Sequence, residues 1–457
     1  MIESRDIPGY WWLPDNPDQR VPGNLLYSPL EGLTLSLNGA FHEENKYRDP
    51  EYYHNFILGF SQNGKNITLQ GCFLKSGTQS FPGYPQSSYV IKVAFLGIHI
   101  TNERDVKFKE YIFRLGALEE WLGIRPFKDK SEHVDEKSIY TISYELPEPI
   151  IIELDNFKME INYGYTMGLG DEWREKRIET YASICIKYDT DVPLDEVFNV
   201  INLTRNFISL GVGERIGIIQ FEARFSEFGK KEDVELLYRT SVYQDELDSI
   251  RFWRMVFRYN NISDNPKLYL KNWFDKSATL GPVYDLFFAT FYIPNIYSLH
   301  EFLSLAQALE AYHSRTFNNE VLQQVEFTTL KHNIIKEIKQ IPEEYQSHFY
   351  SKVRYMNKKN LRDKLDELFS KYSFIVNQVV NDVHQFREEI ADTRNYYTHY
   401  DEKIKDKATD IKFLSILAQK IRFILLGILL YEIGFEKDLI LTGIEVYKSK
   451  WEITRVT

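Results

Sequence analysis

Cysteine is nearly missing from this 457-residue chain: only Cys72 and Cys185 occur, with no Cys-x-x-Cys spacing. That excludes a disulfide framework and points to a reducing compartment. An apolar leader is missing too, since Met1-Ile-Glu-Ser-Arg-Asp6 has no hydrophobic run and does not read as a signal peptide. Long uncharged apolar runs are also lacking. The most apolar stretch, Ile411 to Phe435, is broken by Lys412, Lys420, Arg422 and Glu432, and its longest uncharged run, Phe423 to Tyr431, is too short to span a bilayer. A buried helix in a cytoplasmic protein with no membrane partner is expected, so the sequons at Asn66, Asn202 and Asn261 carry no weight. The ten histidines are scattered, without His-x-His or His-Glu-x-x-His spacing, and no metal or other cofactor is expected. A basic surplus is missing as well. The net charge is −11, and from Leu299 onward 23 Lys and Arg balance 23 Asp and Glu, so all of the excess acid lies earlier. Broad nucleic-acid binding by the N-terminal part is therefore disfavoured, while a local basic groove in the C-terminal part is allowed.

Aromatic residues, in contrast, make up 15% of the chain, and the length suffices for two to four domains with ample core. Up to about residue 240, period-two alternation predicts strands over Phe56–Phe60, Ser88–Phe95, Ile150–Leu154, Phe157–Tyr163 and Ala182–Tyr188. Helices are expected at Leu115–Leu122 and Leu194 to about Leu210. The clustered Pro and Gly of Pro82-Gly83-Tyr84-Pro85 mark a loop. From about Gln244 the period becomes helical. Two short helices are expected at Lys267–Lys276 and Val283–Phe291, with Pro294 breaking the run. Ser298 then reads as the N-cap of a helix whose apolar residues 299, 302, 303, 305, 306 and 309 form one stripe. Further helices are expected at roughly 328–340, 343–356, 360–371, 374–397, 410–433 and 437–448, with Asp410 and Gly434 as cap and stop of the most apolar one. The fold class is thus α+β multidomain: an antiparallel β-rich domain (sandwich or open barrel) over 1–243, a helical connector over 244–297, and an all-α bundle over 298–450.

Three motifs have plain readings. Gly59-Phe-Ser-Gln-Asn-Gly64-Lys65-Asn66 nearly spells a P-loop, but Asn66 replaces the Mg²⁺-holding hydroxyl residue and a strand pattern follows, so Asn63-Gly64 reads as a hairpin turn. Gly211-Val-Gly213-Glu-Arg-Ile-Gly217 has its third glycine one place late for a dinucleotide fingerprint and reads as a helix-to-strand loop. Trp11-Trp12 reads as a packing anchor. Two others stay open. Lys352, Arg354, Lys358 and Lys359, interleaved with Tyr350 and Tyr355, fit either an RNA-backbone track or a solvated helix end. In Arg394-Asn395-Tyr396-Tyr397-Thr398-His399, the guanidinium offers a planar fork for phosphate oxygens and the imidazole moves a proton near neutral pH. The alternative is an exposed Arg and His at a fraying helix end. Five residues turn an ideal helix by about 140°, so Arg394 and His399 do not share a face, whereas Asn395 and His399 do. The motif works most naturally if the helix ends or distorts between Tyr397 and His399, with Lys403, Lys405 and Lys407 in a polar loop beyond.

Phe302-Leu-Ser-Leu-Ala-Gln-Ala-Leu-Glu310-Ala-Tyr-His313, followed some eighty residues later by Arg394-Asn395-x-x-x-His399 and an apolar helix, resembles the HEPN superfamily. Gly9-Tyr-Trp-Trp-Leu-Pro14, Val21-Pro-Gly23 and Leu33-Thr-Leu-Ser-Leu-Asn-Gly39 are similar to the N-terminal domain of its anti-phage-associated, ApeA-like group. One departure is that Tyr400 follows His399 directly and Asp401 takes the place where some subgroups carry a tyrosine. The resemblance implies a metal-independent endoribonuclease of abortive infection, a helical homodimer with facing Arg-x4-His motifs, and a phage-encoded trigger protein as partner. RNA, with transfer RNA loops among the candidates, would be cut by attack of its own 2′-hydroxyl. His399 would then be general base or acid, Arg394 the holder of the pentacoordinate phosphate, Asn395 an orienting group, and Glu310 a positioning carboxylate. Glu310 reads equally well as a helix-surface carboxylate, and the whole domain as a non-catalytic RNA- or protein-binding dimerisation module.

Overall fold

Residues that alternate between the inside and the outside of a curved sheet build the N-terminal part. Along Val21–Ser28, for instance, Val21, Gly23, Leu25 and Tyr27 are buried while Pro22, Leu26 and their neighbours face outward. In the computed structural model, which describes residues 4–41, 53–78, 82–134, 137–168, 176–227, 230–239, 252–293 and 296–456, the first six strands are β1 (Arg5–Trp12), β2 (Val21–Ser28), β3 (Gly32–Leu37), β4 (Tyr53–Ser61), β5 (Asn66–Thr78) and β6 (Gln86–Leu96). They run in the antiparallel order β6-β3-β2-β1-β4-β5 and β5 pairs back onto β6, so the barrel is closed. The expected sandwich or open barrel is thereby refined: β1 takes β2 on one edge, with Trp11 opposite Val21, and β4 on the other, with Trp12 opposite Leu58, leaving no free edge. Trp11, Leu25, Leu35, Ile57, Ile67 and Leu69 fill the interior, fully buried. The tryptophan pair is a packing anchor, with Trp11 Nε1 donating to the Gly23 carbonyl at 3.0 Å. Gly64 adopts a positive φ of 76° in the turn between β4 and β5, which is a hairpin and not a phosphate loop.

Eight more strands follow: β7 (Lys107–Leu115), β8 (Phe127–Val134), β9 (Lys137–Tyr144), β10 (Ile150–Glu153), β11 (Lys158–Gly168), β12 (Arg177–Pro193), β13 (Ile218–Glu227) and β14 (Lys230–Tyr238). β14 pairs with the Val93–Leu96 end of β6, and a sheet continues from it in the order β14-β13-β7-β12-β11-β10. β8 and β9 form a separate hairpin. Helix α1 (Leu118–Leu122) is shorter than expected because Lys107–Leu115 continues as strand. Helix α2 (Leu194–Val212) runs two residues past the expected Leu210, taking in Gly211 before Gly213 caps it, and packs Phe198 against Phe221 and Tyr238 of the sheet.

Two compact units divide the chain, Met1–Lys271 and Asn272–Thr457. The expected boundary at 243/244 and the break at Pro294 lie outside the described residues. Helices α3 (Pro266–Tyr292), α4 (Ser298–Thr316), α5 (Gln324–Ile338), α6 (Glu343–Tyr355), α7 (Leu361–Lys371), α8 (Ser373–Val379), α9 (Val383–His399), α10 (Leu414–Ile433) and α11 (Lys437–Val456) complete it. Several expectations are corrected. The two short helices are one, α3, running through Pro282, where Trp273 stacks on Tyr284 at 4.1 Å and packing across the proline offsets the lost backbone bond. Tyr297, not Ser298, precedes α4, and no side chain caps it. The expected 374–397 helix is two, because Val380 is extended and Asp382 restarts the chain by accepting from the Gln385 amide. Asp410 caps a 3-10 turn, Ile411–Phe413, that leads into α10, and Gly434 stops α10 at φ 108°.

By length and composition Ile411–Ile433 could cross a membrane, but 72% of its most apolar window is buried among its neighbours. It is the axis of the helical unit. Two carboxylates, one on each helix, pin α4 to it. Glu301 of α4 meets Arg422 at 2.6 Å. Glu432 accepts from Tyr312 at 2.6 Å and Tyr372 at 3.2 Å and pairs with Lys276. Burial pushes the Glu432 carboxyl up, yet these three donors outweigh it and hold the group below the usual carboxylate range.

Candidate active site

Helical spacing builds the site before any tertiary contact is considered. On α4, Leu303, Gln307, Glu310 and Ser314 follow one another by four, three and four residues and share a face. On α9, Arg394 and Thr398 do the same. The two faces border a cleft of about 470 Å³ lined by Leu303, Gln307, Glu310, Ser314, Arg394 and Thr398. Arg394 Nη2 donates to Glu310 Oε2 at 3.2 Å and Nη1 to Asn395 Oδ1 at 3.2 Å. Thr398 Oγ1 donates back to the Arg394 carbonyl at 2.7 Å. The other Glu310 oxygen, Oε1, accepts from Lys364 Nζ of α7 at 3.0 Å, and that ammonium also donates to Ser314 Oγ at 3.0 Å. Glu310 is therefore no idle surface carboxylate. It ties α4, α7 and α9 together and holds the guanidinium at the cleft wall.

His399 is the last residue of α9 and is exposed. The helix stops one residue later than the motif seemed to require, because Tyr400 turns left-handed at φ 51°, ψ 40°. For a residue with a Cβ that conformation costs about 1–2 kcal/mol. The cost is offset by a ring cluster in which Tyr400 lies 5.7 Å from Tyr396 and 6.2 Å from Tyr397. Beyond it the lysines 403, 405 and 407 sit in a 3-10 turn, Glu402–Lys407, capped by Asp401, and not in an irregular loop. The chain returns to α9 through the Thr409 amide to Thr393 Oγ1 at 2.9 Å and Tyr397 Oη to the Thr409 carbonyl at 3.2 Å.

Of the expected site residues, the structure brings Arg394, Asn395 and Glu310 together and leaves His399 outside the cleft. Asn395 serves Arg394 within the chain, and His399 has no hydrogen-bond partner among the described residues. The basic cluster is split. Lys352 and Arg354 are exposed on α6, and Lys358 reaches Glu320 at 3.7 Å. Lys359 is committed inward, to Glu367 at 2.5 Å and the Asn318 carbonyl at 2.9 Å. Its bond, with that from buried His313, holds the Glu367 carboxyl below its ordinary range. Gln307, Ser314 and Thr398 escaped the sequence reading although their spacing from Glu310 and Arg394 was legible. Lys364 had no local signal. No group of three or more His, Cys, Asp or Glu able to hold a metal gathers among the described residues.

Residues 6–273, more than half the chain, match the ApeA N-terminal domain 1 family, and residues 303–439 match the Apea-like HEPN domain. No curated protein and no solved structure matches. HEPN domains are generally nucleases that commonly bind RNA and dimerise. With both halves matched in order, and with Arg394 and His399 on the last turns of α9, the chain belongs to the ApeA-like HEPN family of anti-phage defence proteins.

Proposed function

We propose that this protein is a cytoplasmic abortive-infection effector whose helical unit cuts RNA without a metal ion once the β-rich unit has bound a phage-encoded trigger protein. The observation that carries the reading is a guanidinium held by a carboxylate at the wall of an open cleft, with an unencumbered imidazole at the tip of the same helix. Arg394 would grip the scissile phosphate. The RNA 2′-oxygen would bond to phosphorus as His399, or a solvent-linked base, takes its proton. The bond from phosphorus to the 5′-oxygen would break as that oxygen is protonated, leaving a 2′,3′-cyclic phosphate and a 5′-hydroxyl. Glu310 would fix Arg394 for this, and Asn395 would accept from its other nitrogen. Lys352, Arg354 and Lys358 would track the flanking strand, single-stranded loops being reachable by this chemistry and transfer RNA loops among them. Because Arg394 and His399 of one chain face apart, the working site would be composite, with two copies contributing a cleft and an imidazole each.

The position of His399 outside the cleft favours one second reading, a non-catalytic RNA-docking or dimerisation domain. His399→Ala separates the two. Loss of the proton-transfer group should slow cleavage by about 10²–10⁴-fold, read as RNA ends in cells and on purified RNA. Phage protection that survives the substitution would refute the catalytic reading. Cleavage lost in EDTA and restored by Mg²⁺ would refute the metal-free one.

A further inference from the structure

The ion pair at the cleft wall has a charge problem that Lys364 solves. Arg394 and Glu310 alone sum to zero, and a carboxylate 3.2 Å from the guanidinium repels a phosphodiester about as strongly as the guanidinium attracts it. Lys364 Nζ sits 3.0 Å from the other oxygen of the same carboxylate, so two cations share one anion and the trio carries +1. Burial orders their roles. The Lys364 side chain is 13% exposed, Glu310 28% and Arg394 33%, so the lysine is the most buried of the three, and the arginine, the most exposed, lines the cleft. Ser314 Oγ takes a second of the three ammonium donors and fixes it. No other arginine of the α7–α9 seam supplies that excess: Arg362 pairs with Glu388 and Asp392, and Arg387 pairs with Asp366 and Glu388.

We propose that Lys364 is a positioning residue that keeps the cleft net positive, neutralising Glu310 so that the carboxylate orients Arg394 without cancelling its pull on an RNA phosphate. This rests on the RNA-cutting reading above. The measurement is binding of a fluorescein-labelled single-stranded RNA oligonucleotide to the full chain in a His399→Ala background, by anisotropy, between about 50 and 200 mM salt. Lys364→Met is expected to weaken binding about tenfold and to flatten its salt dependence, as losing a cation at a phosphate site does. Lys364→Arg keeps affinity. The double variant Glu310→Gln with Lys364→Met returns the trio to +1 through Arg394 and recovers most of the loss, which a merely structural lysine would not do. Binding by Lys364→Met within about twofold of its parent, or a double variant as weak as the single one, overturns the proposal. Thermal melts accompany each variant, and if Lys364→Met is destabilised, the Arg and double variants decide. Arg394→Ala tests the underlying reading separately. If the parent binds RNA and Arg394→Ala binds equally well, the cleft is not the RNA site and both ideas fall, as they do if the parent does not bind. A sensitive Arg394 with a silent Lys364 sinks only the inference.

Discussion

Glu301 and Glu310 lie nine residues apart on α4, which places them about 180° apart around the helix. One faces the core and the other the cleft. In the core, Glu301 Oε1 accepts from Arg422 Nη2 at 2.6 Å and from Gln419 at 3.2 Å, and the guanidinium lies 5.1 Å from the Phe291 ring centre. The two side chains are only 10% and 6% exposed. Burial works against the charged form of Arg422, but Tyr447 and Glu301 keep it protonated. Glu301→Ala therefore leaves the buried guanidinium without its carboxylate, with Tyr447 still beside it, and breaking such a pair costs about 3–5 kcal/mol. For a helical unit of this size each kcal/mol moves the midpoint by about 2–4 °C, so a drop of about 6–20 °C is expected. Circular dichroism melts of the full chain, followed in the helical signal, measure it. Replacing both partners with apolar groups, Glu301→Leu with Arg422→Met, should cost far less than the single change, since the desolvated charge disappears with its partner. A loss of less than about 1 kcal/mol for Glu301→Ala would refute the reasoning, because the pair would then be no more valuable than an exposed one.

RNA carrying one 2′-deoxy sugar at the cut site should resist the protein while the parent RNA is cleaved; equal cleavage of both would exclude the cyclic-phosphate route. Glu432 has its folded pKa depressed, so the stability it supplies is complete above the ordinary carboxylate value of 4.5 and drains away as pH falls through the lower folded value. Urea midpoints between neutral and acid pH should therefore decline more steeply for the parent than for Glu432→Gln, and parallel curves would count against this. Burial raises both thiols, that of Cys185 to about 11, so neither should react with a thiol reagent at neutral pH until the chain unfolds.

What the chain discloses by pattern is whatever depends on neighbours a few residues away. Alternation exposes the first halves of β6 and β11, where buried Tyr89, Ile91, Met159 and Ile161 are interleaved with more exposed neighbours, whereas Phe56–Gly59 of β4 is buried on both faces and reads as a strand from its apolar run. The stripe on α4 and the Gly434 stop are equally local. Barrel closure is not, because it depends on β1 meeting both β2 and β4, a matter of register between distant segments. The break in the expected 374–397 helix escaped notice because Ile375, Val376 and Ile390 preserve the helical period while Val380 leaves it. The site divides along the same line. Arg394, Asn395, Glu310 and His399 belong to a compact motif and its paired helix, whereas Lys364 reaches Glu310 from 54 residues away and only the packed helices reveal it.

The strand β6 keeps β5 along nearly its whole length on one side and divides its other side between β3 and β14. One continuous backbone is thus a rib common to the barrel wall and the neighbouring sheet. A load on either would therefore reach the other through the peptide groups near Ile91–Val93, where β6 changes partner from β3 to β14.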